Sequence, residues 1–325
     1  MELVAVNTES KLSNSDRNFL RRKVLELIET RAQNKFSILV TGKTGVGKSR
    51  LVNGLVGEPG AAEEGRERTR GKTDRVQSYG VFKNGIEVLV WDSPGLQDRT
   101  VLNEHLYLEE VMQHGFDAMI YCCRMDIKRF LEEDKMAMRT LTSVFGKEVW
   151  KKAVVALTFA NSIEDPDGGD EKVYFQGELN HWKDAINGFL GDVCDARIPP
   201  IVPAGNYRRL ILPTSENWLA ELWISCFCAM DVDASLAFFQ INRDRVSFEG
   251  GRTNSPAEPD TTQGGSSRAL AIQSAVPSIV LNRRQERRFW GKLIDLISEF
   301  VEEHGPILAA ITAVGAVLLI GLLAI

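Results

Sequence analysis

Cysteine is scarce in this chain, five in 325 residues, and poorly placed for pairing. Cys122 and Cys123 are adjacent and Cys226 and Cys228 are two apart, so there is no C-x-x-C metal or redox pair. A disulfide scaffold is excluded and a reducing compartment is expected. A basic excess is also missing: 39 Lys and Arg stand against 44 Asp and Glu, a net charge of −5. That balance gives no electrostatic footprint for a nucleic-acid partner. Met1–Ser10 has neither a basic start nor a long apolar core, so a secretory leader is not expected. With 44% hydrophobic and 26% charged residues, a wholly disordered or fibrous chain is excluded. The length suits about two domains, or one enlarged domain with appendages.

Long apolar runs are missing too, with one exception. Pro306–Ile325 reads PILAAITAVGAVLLIGLLAI and carries no charge. As a helix it would be about 30 Å long, the thickness of a bilayer's hydrocarbon core. Arg283, Arg284, Arg287, Arg288 and Lys292 lie upstream, where cytosolic basic residues are expected. The reading is a single-pass C-terminal membrane anchor over 306–325 with the bulk of the chain cytosolic. In front of it, Phe289, Leu293, Leu296, Ile297, Phe300 and Val301 follow helical spacing. This predicts an amphipathic helix over 281–304 that lies in the membrane interface, pairs with a copy of itself, or stands as a solvated stalk.

The stretch 243–280 is centred on GGRTNSPAEPDTTQGGSS, a flexible-linker composition with too little apolar area to fold. It divides a body, 34–242, from the stalk and anchor. Ahead of the body, residues 1–33 contain an apolar stripe of Phe19, Leu20, Val24, Leu27 and Ile28 and predict an N-terminal helix. Within the body, β-type runs (Phe36–Thr41, Val76–Phe82, Glu87–Trp91, Ala118–Cys123, Ala153–Thr158, Ile201–Val202) alternate with helical patterns (Lys48–Val56, Phe130–Phe145, Val173–Leu190, Ser215–Met230). Such alternation predicts an α/β fold, a mainly parallel sheet with helices on both faces. Ligands of such sheets sit at the carboxyl ends of the strands.

The first run leads directly into Gly42-Lys43-Thr44-Gly45-Val46-Gly47-Lys48-Ser49, the full G-x-x-x-x-G-K-S pattern between a strand and a helix. Its glycines let backbone N–H groups wrap phosphate oxygens, and the helix Lys48–Val56, with Arg50 as a further nucleotide-binding candidate in its first turn, points its positive end at them. Lys48 is expected to reach the β- and γ-phosphates, and the Ser49 hydroxyl to bind Mg2+. Asp92-Ser93-Pro94-Gly95 ends the strand beginning at Glu87. There Asp92 is expected to hold Mg2+ through water, and the Gly95 amide to meet a γ-phosphate. Thr73, favoured over Thr69, is a candidate to complete the metal shell. Leu96 follows Gly95 where many small GTPases place a water-orienting glutamine. Slow hydrolysis is therefore expected, or a catalytic group from elsewhere. Arg124, at the end of the run Ala118–Cys123, is that candidate; a surface pairing with Asp126 or Glu132 is the competing role.

The body lacks N-K-x-D after its fifth run; Thr158-Phe159-Ala160-Asn161 stands there instead. Four stretches, GKTGVGKSRLVNGLVGE (Gly42–Glu58), VLVWDSPGLQD (Val88–Asp98), CRMDIKRFLEEDKMAMRTLTSVFG (Cys123–Gly146) and WKKAVVALTFAN (Trp150–Asn161), carry a resemblance. The chain resembles the septin-related GTPases that include the immunity-associated (avirulence-induced-type) GTPases and the import-receptor GTPases of the chloroplast outer envelope. Lys43-Thr44-Gly45 is typical of the immunity branch, while Val52-Asn53 and L-T-F-A lean toward the receptors. The resemblance implies a P-loop GTPase fold, GTP or GDP as ligand and Mg2+ as cofactor. It also implies a homodimer or homo-oligomer formed through the nucleotide face, with Arg124 reaching the partner's nucleotide. The base-reading segment falls on Thr158 to Asn161, with Phe159 replacing a basic or imidazole side chain and offering a stacking ring. A later loop falls on Ala204-Gly205-Asn206, where Asn206 is retained and the preceding acid is not. The expected function is membrane-anchored GTP binding with slow hydrolysis. The alternatives are a GTP-gated non-catalytic scaffold and a P-loop ATPase.

Overall fold

Two apolar runs are buried along nearly their whole length, β4 (Ala118–Arg124) and β5 (Ala153–Thr158). Burial on both faces, without polar alternation, is the mark of interior parallel strands. In the computed structural model, which describes residues 33–57, 77–92, 96, 104–127, 129–206, 209–249 and 277–304, both are central strands of a six-stranded sheet. The other members are β1 (Lys35–Gly42), β2 (Gln77–Lys83), β3 (Ile86–Asp92) and β6 (Ile201–Pro203), in the order β2-β3-β1-β4-β5-β6. All neighbours are parallel except β2 and β3. That hairpin turns on Asn84 and Gly85, at φ 49° and 84°. Asn-Gly is the pair that tolerates two successive left-handed residues, as a tight hairpin of the right twist requires.

The helices are α1 (Lys48–Val56), α2 (Glu104–His114), α3 (Glu132–Phe145), α4 (Glu171–Cys194), α5 (Trp218–Ala229), α6 (Val232–Asn242) and α7 (Arg283–His304). α2, α3 and α4 pack successively to form one layer, and α1, α5 and α6 form the other. The alternating pattern read from the sequence is the architecture found, and the fold is α/β with a mostly parallel sheet. The phosphate-loop helix α1 is held at its far end: Lys83 Nζ donates to Val56 O and Gly57 O at 3.2 and 3.1 Å, and Arg245 donates to Leu55 O. Cations suit the carbonyl end of a helix.

The C-terminal part departs from a freely linked stalk. Val246–Phe248 (β7) and Ile279–Leu281 (β8) pair in parallel, so both ends of the linker composition are joined at the body. Immediately after, Asn282 opens α7 with a reciprocal cap. Its Oδ1 accepts from Gln285 N at 3.0 Å, and its own N–H donates to Gln285 Oε1 at 3.0 Å. The first turns of α7 then pack on α5 and α6. Phe289 lies 4.9 Å from Phe227 and 5.2 Å from Phe239 between ring centroids, and Trp290 stacks on Phe248 at 5.7 Å. Arg288 pairs with Glu221 at 2.5 Å. Of the apolar stripe read in 281–304, Phe289 and Leu293 are covered by the body itself, as is Trp290 beside them, while the side chains of Leu296, Ile297, Phe300 and Val301 lie outside the described ones. The helix expected over residues 1–33 (Gln33 apart) and the span 306–325 lie outside the described residues. Among the described residues, no helix is long and apolar enough to cross a membrane.

Candidate phosphate-binding site

Register brings the sequence candidates together. β1 ends at Gly42, opposite Cys122 of β4; Val40 faces Asp92 of β3; and Arg124 of β4 faces Thr158 of β5. The ends of four adjacent strands therefore present Gly42, Asp92, Arg124 and Thr158 along one carboxyl edge, where ligands of parallel sheets bind. β6 delivers Ala204-Gly205-Asn206 to the same edge.

The loop between β1 and α1 is shaped by its glycines. A Cβ on Gly42 would stand 2.4 Å from Cys122 O, so only glycine lets the chain leave the sheet there. Gly47, at φ 83°, is the N-cap of α1 and has no side chain to satisfy the first amides of the helix. The first turn of α1 also lacks an acid. A helix start without a side-chain cap and without an acid in its first turn makes a cradle that fits a phosphate group. Lys48, 9% exposed, folds its ammonium back over the loop and donates to Gly42 O at 3.2 Å and Lys43 O at 3.0 Å. The Leu96 N–H donates to Gly42 O at 3.4 Å, which places Leu96 against the loop. The Leu96 side chain is buried. Gly95 and Thr73 lie outside the described residues, and of Asp92 only the backbone is described.

Phe159 has the left-handed backbone, φ 57° and ψ 22°. For a bulky residue that conformation costs about 1–3 kcal/mol and persists only where the surroundings impose it. Met125 N donates to Thr158 O at 2.8 Å and Ala160 N donates to Ala204 O at 3.1 Å, which holds the turn on both sides. The ring borders the phosphate loop: a Cβ on Gly47 would meet it at 3.5 Å. Its face carries the Arg124 guanidinium, 4.2 Å from the centroid. Arg124 is also bidentate to Asp126, at 2.9 and 2.5 Å. The Thr158 hydroxyl donates to Cys123 O at 3.0 Å, a contact internal to the sheet edge. Asn161 Oδ1 accepts from Asn206 N at 3.0 Å, so the two candidates from separate loops are joined.

The side chain of Lys43 turns away from the loop to Asp134 of α3, Nζ to Oδ2 2.9 Å. Asp134 was not among the candidates read from the sequence. A signal for it exists: it shares one helical stripe with Ala137, Met138 and Leu141, all buried, and an acid on an apolar stripe requires a partner. Beneath the loop, burial pushes the Cys123 thiol up, which leaves no thiolate there for nucleophilic work.

The model of the AIG1 family matches residues 36–189. Translocase of chloroplast 34 of Pisum sativum is 32% identical over 216 residues, 62% of this chain and 68% of that protein. The Chlamydomonas reinhardtii homolog is 29% identical over 219 residues, and this chain spans 55% of its length. Among solved structures, one of the chloroplast translocon components atToc33 and psToc159, whose dimerization is described as important for their GTPase activity, matches with a TM-score of 0.50. It is 25% identical and covers 65% of this chain and 89% of that one. A P-loop strand–loop–helix at the carboxyl edge of a parallel sheet, with these relatives, settles the lineage: the chain is a P-loop GTPase belonging to the AIG1 family, alongside the translocases of chloroplast 34.

Proposed function

We propose that the protein is a membrane-anchored, Mg2+-dependent GTP-binding protein that hydrolyses GTP slowly and dimerises or oligomerises through its nucleotide face, with the bulk of the chain on the cytosolic side. The observation carrying this reading is the loop Gly42–Ser49: a helix start with no side-chain cap, Gly42 where a side chain would collide, left-handed backbone at Gly45 and Gly47, and the Lys48 ammonium held within it. The amides of Lys43, Thr44, Gly45, Val46, Gly47, Lys48 and Ser49 would bind the phosphates, with Arg50 beside them and the Gly95 amide at the γ-phosphate. Ser49, Asp92 and Thr73 would hold Mg2+, which neutralises charge between the β- and γ-phosphates. Thr158, Phe159, Asn161 and Asn206 would line the base side, Thr158 through its backbone because its hydroxyl is engaged. The anchor is 306–325. Relatives named for a chloroplast translocase support work at a membrane. Displacement of a bound fluorescent GDP from the detergent-solubilised chain checks the base: GTP is expected to compete and ATP to fail, and the reverse order overturns the reading.

Arg124 is the proposed catalytic arginine, acting on the partner's nucleotide. In the single chain its charge is held by Asp126 and by the Phe159 ring, so engagement exchanges one anion for another. The importance of dimerization for GTPase activity in the matched translocon components supports this assignment. The rate per molecule is expected to rise with protein concentration, and Arg124→Ala to lower the plateau by about tenfold or more, while monomer affinity for GTP holds. A wild-type rate independent of concentration overturns the trans role. It would favour instead a scaffold in which bound GTP gates assembly and is hardly turned over, a reading supported by the buried, apolar Leu96 in place of a water-orienting side chain.

A further inference from the structure

We propose that Asp134 is a positioning residue of the phosphate loop, acting through Lys43 to keep Lys48 aimed at the β-phosphate. The proposal rests on the nucleotide-binding reading above and assigns work to a residue outside the motif.

Asp134 stands in the first turn of α3 and is 3% exposed. A carboxylate in such a place is costly unless paired. Its ion pair is with Lys43, the second residue of the loop, at 2.9 Å. The Tyr121 hydroxyl donates to the Asp134 backbone carbonyl at 3.2 Å, fixing the helix turn from β4. The second carboxylate oxygen, Oδ1, is buried with no hydrogen-bond partner among the described residues, so Lys43 is the cation that holds this side chain, with the Leu131 backbone amide beside it. Burial pushes the carboxyl up, and the Lys43 ammonium pulls it back toward the charged form.

Lys43 then connects the pair to the chemistry. Its backbone carbonyl accepts from Lys48 Nζ at 3.0 Å. One residue thus has its side chain tied to α3 and its peptide tied to the phosphate-facing lysine. Without the carboxylate, the Lys43 ammonium is a free cation beside a triphosphate and is drawn to it. The Lys43 peptide turns with it, and one of the two loop carbonyls that orient Lys48 is lost, leaving the Gly42 carbonyl. A buried ion pair contributes little to net stability compared with well-packed apolar residues. Its effect is geometric: it decides which of two adjacent lysines faces the β-phosphate.

The test compares GDP and GMP, which differ by the phosphate Lys48 faces, by calorimetric titration of the full chain in detergent. Asp134→Asn is expected to weaken GDP binding about tenfold and leave GMP unchanged. Lys43→Met is expected to do the same. The double change Lys43→Met with Asp134→Leu keeps the charge balance and gives a folded protein should Asp134→Asn fail to fold. Its GDP affinity is expected to be no lower than that of Lys43→Met alone. Equal losses for GDP and GMP, an unchanged GDP affinity in Asp134→Asn, or losses that add in the double variant each overturn the positioning role. A wild-type chain that binds neither GDP nor GTP overturns the nucleotide reading itself, and a wild-type chain that binds both while Asp134→Asn matches it overturns only the role of Asp134.

Discussion

Phe289→Ala is expected to cost about 3–5 kcal/mol of unfolding free energy, the range for truncating a buried aromatic side chain. The ring is 1% exposed and touches aromatic side chains from four elements: Trp223 and Phe227 of α5, Phe239 of α6, Phe248 of β7 and Trp290 beside it on α7. Few of these neighbours can move to close the gap, because Trp223 is itself stacked on Phe227 and Phe238, and Phe238 packs on Phe36 of β1. The loss is therefore expected to propagate to the strand that carries the phosphate loop. Urea unfolding of a chain ending at Gly305 measures it through the midpoint. A chain cut after Phe248 loses Phe289, Trp290 and β8 together and is expected to fare worse, whereas removal of 306–325 alone leaves this cluster whole. A midpoint unmoved by Phe289→Ala would show that α7 is not docked on the body, and would restore a freely linked stalk.

Lys48→Ala is expected to weaken Mg2+·GTP binding by at least about 2 kcal/mol, roughly thirtyfold, the scale of a charge-assisted contact removed from a site with little water. The ammonium is nearly buried and is held within the loop by the Gly42 and Lys43 carbonyls, where the pattern G-x-x-x-x-G-K-S places a phosphate. Ser49→Ala is expected to lose a similar amount, and only when Mg2+ is present. Equilibrium titration with a fluorescent GTP analogue, with and without EDTA, separates the two. Wild-type affinity in Lys48→Ala would sink the phosphate-loop assignment and leave the glycine turn as a structural feature only.

The alternation of strands and helices, the loop Gly42–Ser49 and the edge positions of Asp92, Arg124 and Thr158 were legible in residue order. The reason is that each is local: a hydrophobic run of five or six residues, a glycine pattern bounded by a strand and a helix, and a polar residue at a strand end. The strand ends moved by at most one residue and the helix ends by up to four, and α2 and α6 were not separated out. The Asn84-Gly85 hairpin was not read from the sequence, although Asn-Gly is a local signal for that turn.

Three features depended on partners far away in the chain. Lys43 and Asp134 are ninety-one residues apart, and nothing local distinguishes Asp134 from Glu132 and Glu133 except the helical phase that turns it inward. Arg124 stands at the ligand edge and is paired with Asp126; the Phe159 ring beneath its guanidinium came from a strained turn that no propensity would assign to phenylalanine. The stripe of α7 was visible as amphipathic, but periodicity reports only that an apolar face needs covering. Bilayer, second copy and protein core satisfy that need with the same chemistry, and for Phe289 and Leu293 the choice fell to the body, with Phe289 on the aromatic face of α5 and α6, which exists only after the sheet has brought those helices together.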